Sequence, residues 1–534
     1  MAGMSADPSS SAAAPLSRPA AAAFKPVGVI DIGATSIRMA VAEIGEGGAV
    51  RTLETLSQAV SLGKDTFIKS SIGKATIEQC VRVLKSYRAR LQEFQITHPS
   101  QIRVVATSAV REAENRLAFL DRIYIATGLE VEPLEEAEVS RVTYLGIRPL
   151  LEGRAPQADA RSLVVEVGGG STELLLVRGD NVLFSHTYRL GSMRLRETLE
   201  AYRAPTFKLR HIMESQIART VEQIRQDVSS DGPVELIALG GDVRFAASQL
   251  LPDWDHVSLA RLELADLARL TDRLLNLTDD QIARRYHLSF ADAETVGPAL
   301  LTYVQLARAF ELPYLLVTHV TLRDGLLKEM AVEEAWTEEF SNQIMLSALD
   351  LGGKFEFHEA HARHVAELTR ALFRQLRGEH QLDGRYELLL YIAALLHEIG
   401  MFVSHRSYHK HSMYLIRNSE LFGLGRRDAL LVSLVARYHR RSSPLPTHEG
   451  YATLDRDQRV AVAKMAALLR VAVALDESRS QRVAEVKCST EDGRIVVSVP
   501  GVEDLSLEQL ALDQSGTLFE ETFGMPVLLR TVRS

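Results

Sequence analysis

Short apolar runs that stop at glycine alternate with helical periodicities along most of the chain. The clearest is Leu163-Val164-Val165-Glu166-Val167, which ends in Gly168-Gly169-Gly170 before Leu174 to Val177 resume the apolar pattern. That pattern predicts a strand, a tight turn and a second strand. Val27 to Ile44 predicts a second hairpin of the same kind, and Ile77 to Phe94 a helix ending before Thr97-His98-Pro99. Ile102 to Thr107 and Leu129 to Leu134 read as strands, the latter leading into a helix through Tyr144. Leu236 to Leu239 is a strand that meets Gly240-Gly241 and opens a helix at Val243. Helices over Leu262 to Tyr286 and Glu294 to Phe310, a strand at Tyr314 to Val317, and Thr318 to Met330 complete this part.

From Glu338 onward strand signals nearly vanish. Helical periodicity covers His361 to Leu376, Tyr386 to Ile399, Tyr408 to Asn418, Ala429 to His439 and Val460 to Asp476. Glu485 to Val499 and the last thirty or so residues return to strand alternation, with Asp492-Gly493 as a hairpin turn. The expected organisation is a tail over 1–25, two α/β lobes over 26–147 and 148–335, an all-α domain over 336–482 and a small α/β C-terminal domain over 483–534.

The two hairpins echo each other. Asp31 matches Glu166, Gly33 matches Gly168, and Ser36 matches Ser171. Two copies of one strand–acid–Gly–Ser turn predict related halves facing one cleft, where backbone N–H groups cradle phosphate. Gly240-Gly241 adds a helix N-terminus suited to an anion. Arg111, just past a strand end, offers a planar fork for phosphate. Arg194 and Arg196 would add positive potential. Glu135, Glu136 and Glu138 in a first helical turn read equally as dipole complements or as site residues.

Composition narrows the class. At 534 residues the chain exceeds one core, and with 46% hydrophobic and 24% charged residues it is globular in character. Only Cys80 and Cys488 are present, which points to a reducing cytoplasm and no disulfide framework. No stretch of about 18 uncharged apolar residues occurs, so no membrane partner is expected. The Ala/Ser/Pro-rich start lacks the build of a secretory signal and reads as disordered. A net charge of −8 gives no global attraction to nucleic acid.

Four segments in order resemble one family: Ile30-Asp31-Ile32-Gly33, Thr107-Ser108-Ala109-Val110-Arg111, Val167-Gly168-Gly169-Gly170-Ser171-Thr172-Glu173 and Leu322-Arg323-Asp324-Gly325-Leu326. They are similar to the exopolyphosphatase and guanosine pentaphosphate phosphohydrolase family, of the actin-like (ribonuclease H-like) superfamily. Ala393 to Gly400, His409-Lys410-His411-Ser412 and Arg437-Tyr438-His439-Arg440 resemble that family's HD-like domain. The resemblance implies a duplicated actin-like two-lobed domain, an all-α HD-like domain and release of terminal phosphate from polyphosphate, guanosine pentaphosphate or both. It implies Mg²⁺ (or Mn²⁺), guanosine penta- or tetraphosphate or polyphosphate as ligand, and a homodimer. By this reading Gly33, Thr35, Ser36, Gly168, Gly169, Gly170, Ser171, Gly240 and Gly241 bind phosphate. Asp31, Glu166 and Glu173 hold the metal or the water, and Arg111 supplies the fork. A regulatory binding protein with a weakened catalytic lobe is the alternative.

Three departures stand out. Where the family carries its catalytic base, the ungapped match places Val139, with Glu138 one residue early; Glu138 or a shifted Glu136 would serve, and Glu138 is favoured. Glu166 replaces an Asp, and Thr318-His319 replaces a Ser-Asp pair. In the HD-like part, His361, Asp476 and His397-Glu398, the last replacing a His-Asp pair, give a possible second divalent-metal site, with His409, His411 and His439 available to complete it. The competing reading is a degenerate domain whose Arg406, His409, Lys410, Arg437, Arg440 and Arg441 guide polyphosphate.

Overall fold

The computed structural model describes residues 24–152, 161–179, 181–201, 206–228, 232–331, 338–440 and 442–532. All but the last two residues of the expected disordered tail, and Arg441, lie outside them. The first sheet comprises β1 (Lys25–Ile32), β2 (Ser36–Ile44), β3 (Val50–Ala59), β4 (Ile102–Ala106) and β5 (Val131–Pro133). The second comprises β6 (Arg161–Val167), β7 (Thr172–Arg178), β8 (Asn181–Tyr188), β9 (Val234–Leu239), β10 (Ala260–Glu263) and β11 (Tyr314–Val317).

Their orders are β3-β2-β1-β4-β5 and β10-β11-β9-β6-β7-β8. In each, the leading strand pairs antiparallel with its hairpin partner on one side and parallel with a later strand on the other. The duplication read from two turns therefore extends to whole sheets. The second sheet carries one extra edge strand, β10, where a helix from Leu262 was expected; the helix starts at Leu264 instead.

Side-chain alternation along β6 decides how the lobes are held. Leu163 and Val165 face one apolar cluster beneath the helices Thr206–Asp227 and Phe290–Ala309, while Val164 faces another. That second cluster runs on, without a break, through the helical region to Ile495, Val497 and Phe519. The helical region thus shares its core with the second sheet. All five helices expected there are present, preceded by Glu338–Lys354.

The chain's end departs from expectation. Strands β12 (Lys487–Glu491), β13 (Arg494–Pro500) and β14 (Val527–Val532) form a small sheet, but helices Ser506–Ser515 and Thr517–Phe523 occupy most of the last stretch expected as strand. Leu512, Leu518 and Phe519 bury one face of these helices, and that apolar anchoring overrides the strand-like local pattern.

Candidate active site

The two echoing turns have one geometry. At the end of β1 the Gly33 N–H donates to the Ser36 carbonyl at 3.0 Å; at the end of β6 the Gly168 N–H donates to the Ser171 carbonyl at 2.8 Å. They also touch, since a Cβ on Gly169 would lie 3.1 Å from that of Ala34. A Cβ on Gly170 would meet Ser108 Oγ at 2.4 Å and the Phe67 ring at 2.5 Å, so close approach requires glycine here. Gly240 is different: its φ of +111° suits glycine, and it opens the helix Gly241–Leu250.

Between these turns lies a cleft of about 300 Å³. Asp31, Glu166, Glu173, Asp242 and Asp292 line it, with Thr35, Ser36, Arg38, Thr107, Ser108 and Ser171. Register places Arg38 opposite Asp31 and Glu173 opposite Glu166. Burial, then the facing Glu166 charge, pushes Glu173 up to about 7. Burial likewise raises Asp242 to about 7, with Asp292 adding to it. Glu166 is also raised by burial, against the pull of Arg244. The Ser171 hydroxyl donates to Glu173 Oε1 at 2.6 Å, so its proton is committed to that carboxylate.

Asp31 is buried, with Arg323 Nη1 3.6 Å from Oδ2 and no hydrogen-bond partner on Oδ1. Ser36 Oγ is buried and unpartnered too. Hard oxygen donors left unsatisfied beside Glu166 fit a divalent cation of the Mg²⁺ type.

Several expected residues sit elsewhere. Arg111 does not line the cleft: it donates to the Leu134 carbonyl at 2.8 Å and pairs with Glu136 at 3.4 Å, although its charge still lowers Glu173. Glu138 does not line the cleft either. Its carboxylate accepts from the Glu135 N–H at 2.8 Å and lies against Gly425 of the helical region, while Val139 lines the cleft. Consecutive helix positions point about 100° apart, so one residue's displacement turns the carboxylate away. Arg194 and Arg196 are engaged by Glu112 and Asp279, each at 2.6 Å. Sequence reasoning missed Arg38, Arg244, Asp242 and Asp292; only Asp242, directly after Gly240-Gly241, carried a local signal.

A second pocket, of about 240 Å³, lies in the helical region, lined by His361, Glu398, Tyr408, His439, Arg440, Arg470, Asp476 and Arg479 among others. His361 Nδ1 donates to Asp476 Oδ2 at 2.7 Å, and His397 Nδ1 to the Ala394 carbonyl at 2.7 Å. Both rings thereby present Nε2 lone pairs; that of His397 is buried without a partner. One ligand atom each from His361, His397 and Glu398 falls within 4.8 Å of the others. Asp476 is thus the orienting partner of His361 rather than a fourth facing ligand. His439 turns Nε2 to the Tyr408 hydroxyl at 3.1 Å, and neither His409 nor His411 lines the pocket. Of the expected basic channel, Arg440 alone among the described residues reaches it.

The sequence profile of the Ppx/GppA phosphatase family matches residues 40–334, and that of its domain III matches residues 345–514. The chain belongs to the Ppx/GppA phosphatase family. Among its relatives, a guanosine-5′-triphosphate,3′-diphosphate pyrophosphatase of Photobacterium profundum is 24% identical over 94% of this chain and 97% of its own. One from Aliivibrio fischeri is 25% identical over 88% and 91%. The crystal structure of an exopolyphosphatase from Cytophaga hutchinsonii matches the fold with a TM-score of 0.51 at 22% identity, covering 57% of this chain and 98% of that one. The Ppx/GppA profile begins within β2 and covers the second sheet entire, including the turn Gly168 to Ser171. No described helix is long and apolar enough to cross a membrane.

Proposed function

We propose that the chain hydrolyses terminal phosphoanhydride bonds of polyphosphate, of guanosine pentaphosphate, or of both, in the cleft between the two sheets. The observation that carries this reading is the contact of two matching Gly–Ser turns over buried, unsatisfied Asp31 and Ser36 oxygens. Family membership and the relatives' names support it.

The chain's own groups divide the work. N–H groups at Ala34 to Ser36, Gly169 to Ser171 and Gly241 hold phosphoryl oxygens, and Arg38 and Arg244 offset the surrounding carboxylates. Asp31 and Glu166 would hold Mg²⁺, which supplies neutralisation of the phosphate charge. Glu173, fixed through Oε1 by Ser171, orients the attacking water through Oε2 and receives its proton as the P–O anhydride bond breaks. Glu173 takes this role in place of Glu138. Phosphate release by purified protein with Mg²⁺ tests the reading; no release from either substrate class overturns it.

A second proposal concerns the helical pocket. The buried, unpartnered His397 Nε2 beside His361 and Glu398 favours a second divalent metal with nitrogen and oxygen ligands, consistent with an HD-like arrangement.

A further inference from the structure

The two echoing turns are braced alike, with one exchange. In the first, the Ala34 carbonyl accepts from the Gly63 N–H and the Thr35 carbonyl from the Val60 N–H, each at 2.9 Å. Both braces come from the turn's own lobe. In the second, the Gly168 and Gly169 carbonyls accept from the Ser192 and Arg194 N–H groups, again at 2.9 Å. Gly170 is the counterpart of Thr35, but a side chain holds its carbonyl: Arg194 Nε donates to it at 2.6 Å.

A trans peptide unit points its C=O and N–H in opposite directions. Tying these three carbonyls to the start of the helix Ser192–Ala201 therefore aims the N–H groups of Gly169, Gly170 and Ser171 away from that helix. Arg194 also reaches further. Its Nη2 donates to Glu112 Oε1 at 2.6 Å, and its guanidinium lies 4.1 Å from the centre of the Phe67 ring. Glu112 follows the helical turn Ser108–Arg111 and Phe67 lies on the helix Leu62–Lys69, so both belong to the first lobe. One planar fork thus joins a phosphate-turn carbonyl in the second lobe to a carboxylate in the first.

We propose that Arg194 is a positioning residue that latches the lobes through Glu112 and makes the phosphate grip of the Gly168 to Ser171 turn conditional on a closed cleft. This rests on the proposed phosphoanhydride hydrolysis and adds how its second phosphate turn is set. When the lobes part, the guanidinium loses Glu112 and the Phe67 face, and the Gly170 peptide loses its fixed aim. The first turn keeps its aim, because Val60 and Gly63 move with it.

Calorimetric binding of methylenediphosphonate with Mg²⁺ to the full chain reads this grip without turnover, since a P–C–P bridge is not hydrolysed. Arg194→Lys keeps the charge, but one ammonium cannot span both acceptors, so affinity should fall at least about tenfold. Glu112→Ala leaves every cleft residue in place and should cost at least about fivefold. In the double variant Arg194→Ala/Glu112→Ala the losses should not multiply, and binding should stay within about twofold of Arg194→Ala alone. Near-native binding by Arg194→Lys, or losses that multiply, overturns the latch. So does a fall in Tm across the variants with affinity held within about twofold, the pattern of a merely structural arginine. Failure of the hydrolytic reading would show separately, as no phosphate release by the native protein with this binding pattern intact.

Discussion

The cleft between the sheets and the pocket among the helices solve different problems with overlapping residue types. In the cleft, carboxylates stand near arginines and glycine turns, and burial drives Glu173 and Asp242 up to about 7. In the helical pocket, burial drives His397 down to about 3, and backbone carbonyls or Asp476 fix the imidazoles by Nδ1. The first arrangement suits a hard cation and a shifting phosphoryl charge; the second suits a borderline metal held by nitrogen. The difference teaches that the donor set, rather than the number of acidic and basic groups, tells the two sites apart.

The largest effect should come from crowding the second turn, at Gly170, against the neighbouring helices of the first lobe. Gly170→Val drives side-chain atoms into Ser108 and Phe67 and should lower phosphate release more than about a hundredfold while costing about 1–3 kcal/mol of stability. Steady-state rates alongside a urea melt separate the two. Next, His397→Ala should abolish Mn²⁺ or Zn²⁺ retained in the helical region while phosphate release changes less than about threefold. Elemental analysis after dialysis reads the metal, and unchanged content removes the helical site from the account.

A pH test sharpens the contrast further. Glu173 has a folded pKa raised from 4.5 to about 7, so the folded protein holds that proton more tightly than the unfolded chain. Stability present below the unfolded pKa is lost as pH rises toward 7. In metal-free protein, Glu173→Gln should therefore gain Tm over the native chain as pH rises from about 5 to about 7.5, with the gap flat above that. A constant gap contradicts the buried carboxylate. The smallest effect belongs to Glu138→Gln, which keeps a cap acceptor and should alter turnover less than about threefold and stability by under about 1 kcal/mol.

What was legible in the sequence was what local pattern can carry. The glycine-terminated runs placed both hairpins, and their echo extended to complete sheets. Two kinds of feature were hidden. β10 is a four-residue edge strand, too short to break a helical pattern, and the terminal helices Ser506–Ser515 and Thr517–Phe523 exist because a distant core receives Leu512 and Phe519. At the site, Arg38, Arg244 and Asp292 converge only after the two sheets meet. Glu138 was visible but its facing was not, because helix phase is set by Val139 packing with Val142 and Leu322.

The central claim is that Glu173 in the cleft, and not the helical pocket, carries hydrolysis. Phosphate release from guanosine pentaphosphate and from polyphosphate, measured side by side for the native chain, Glu173→Gln and His397→Ala, tests it directly. The account predicts at least about a hundredfold loss of kcat in Glu173→Gln and near-native turnover in His397→Ala. The reverse order would contradict it.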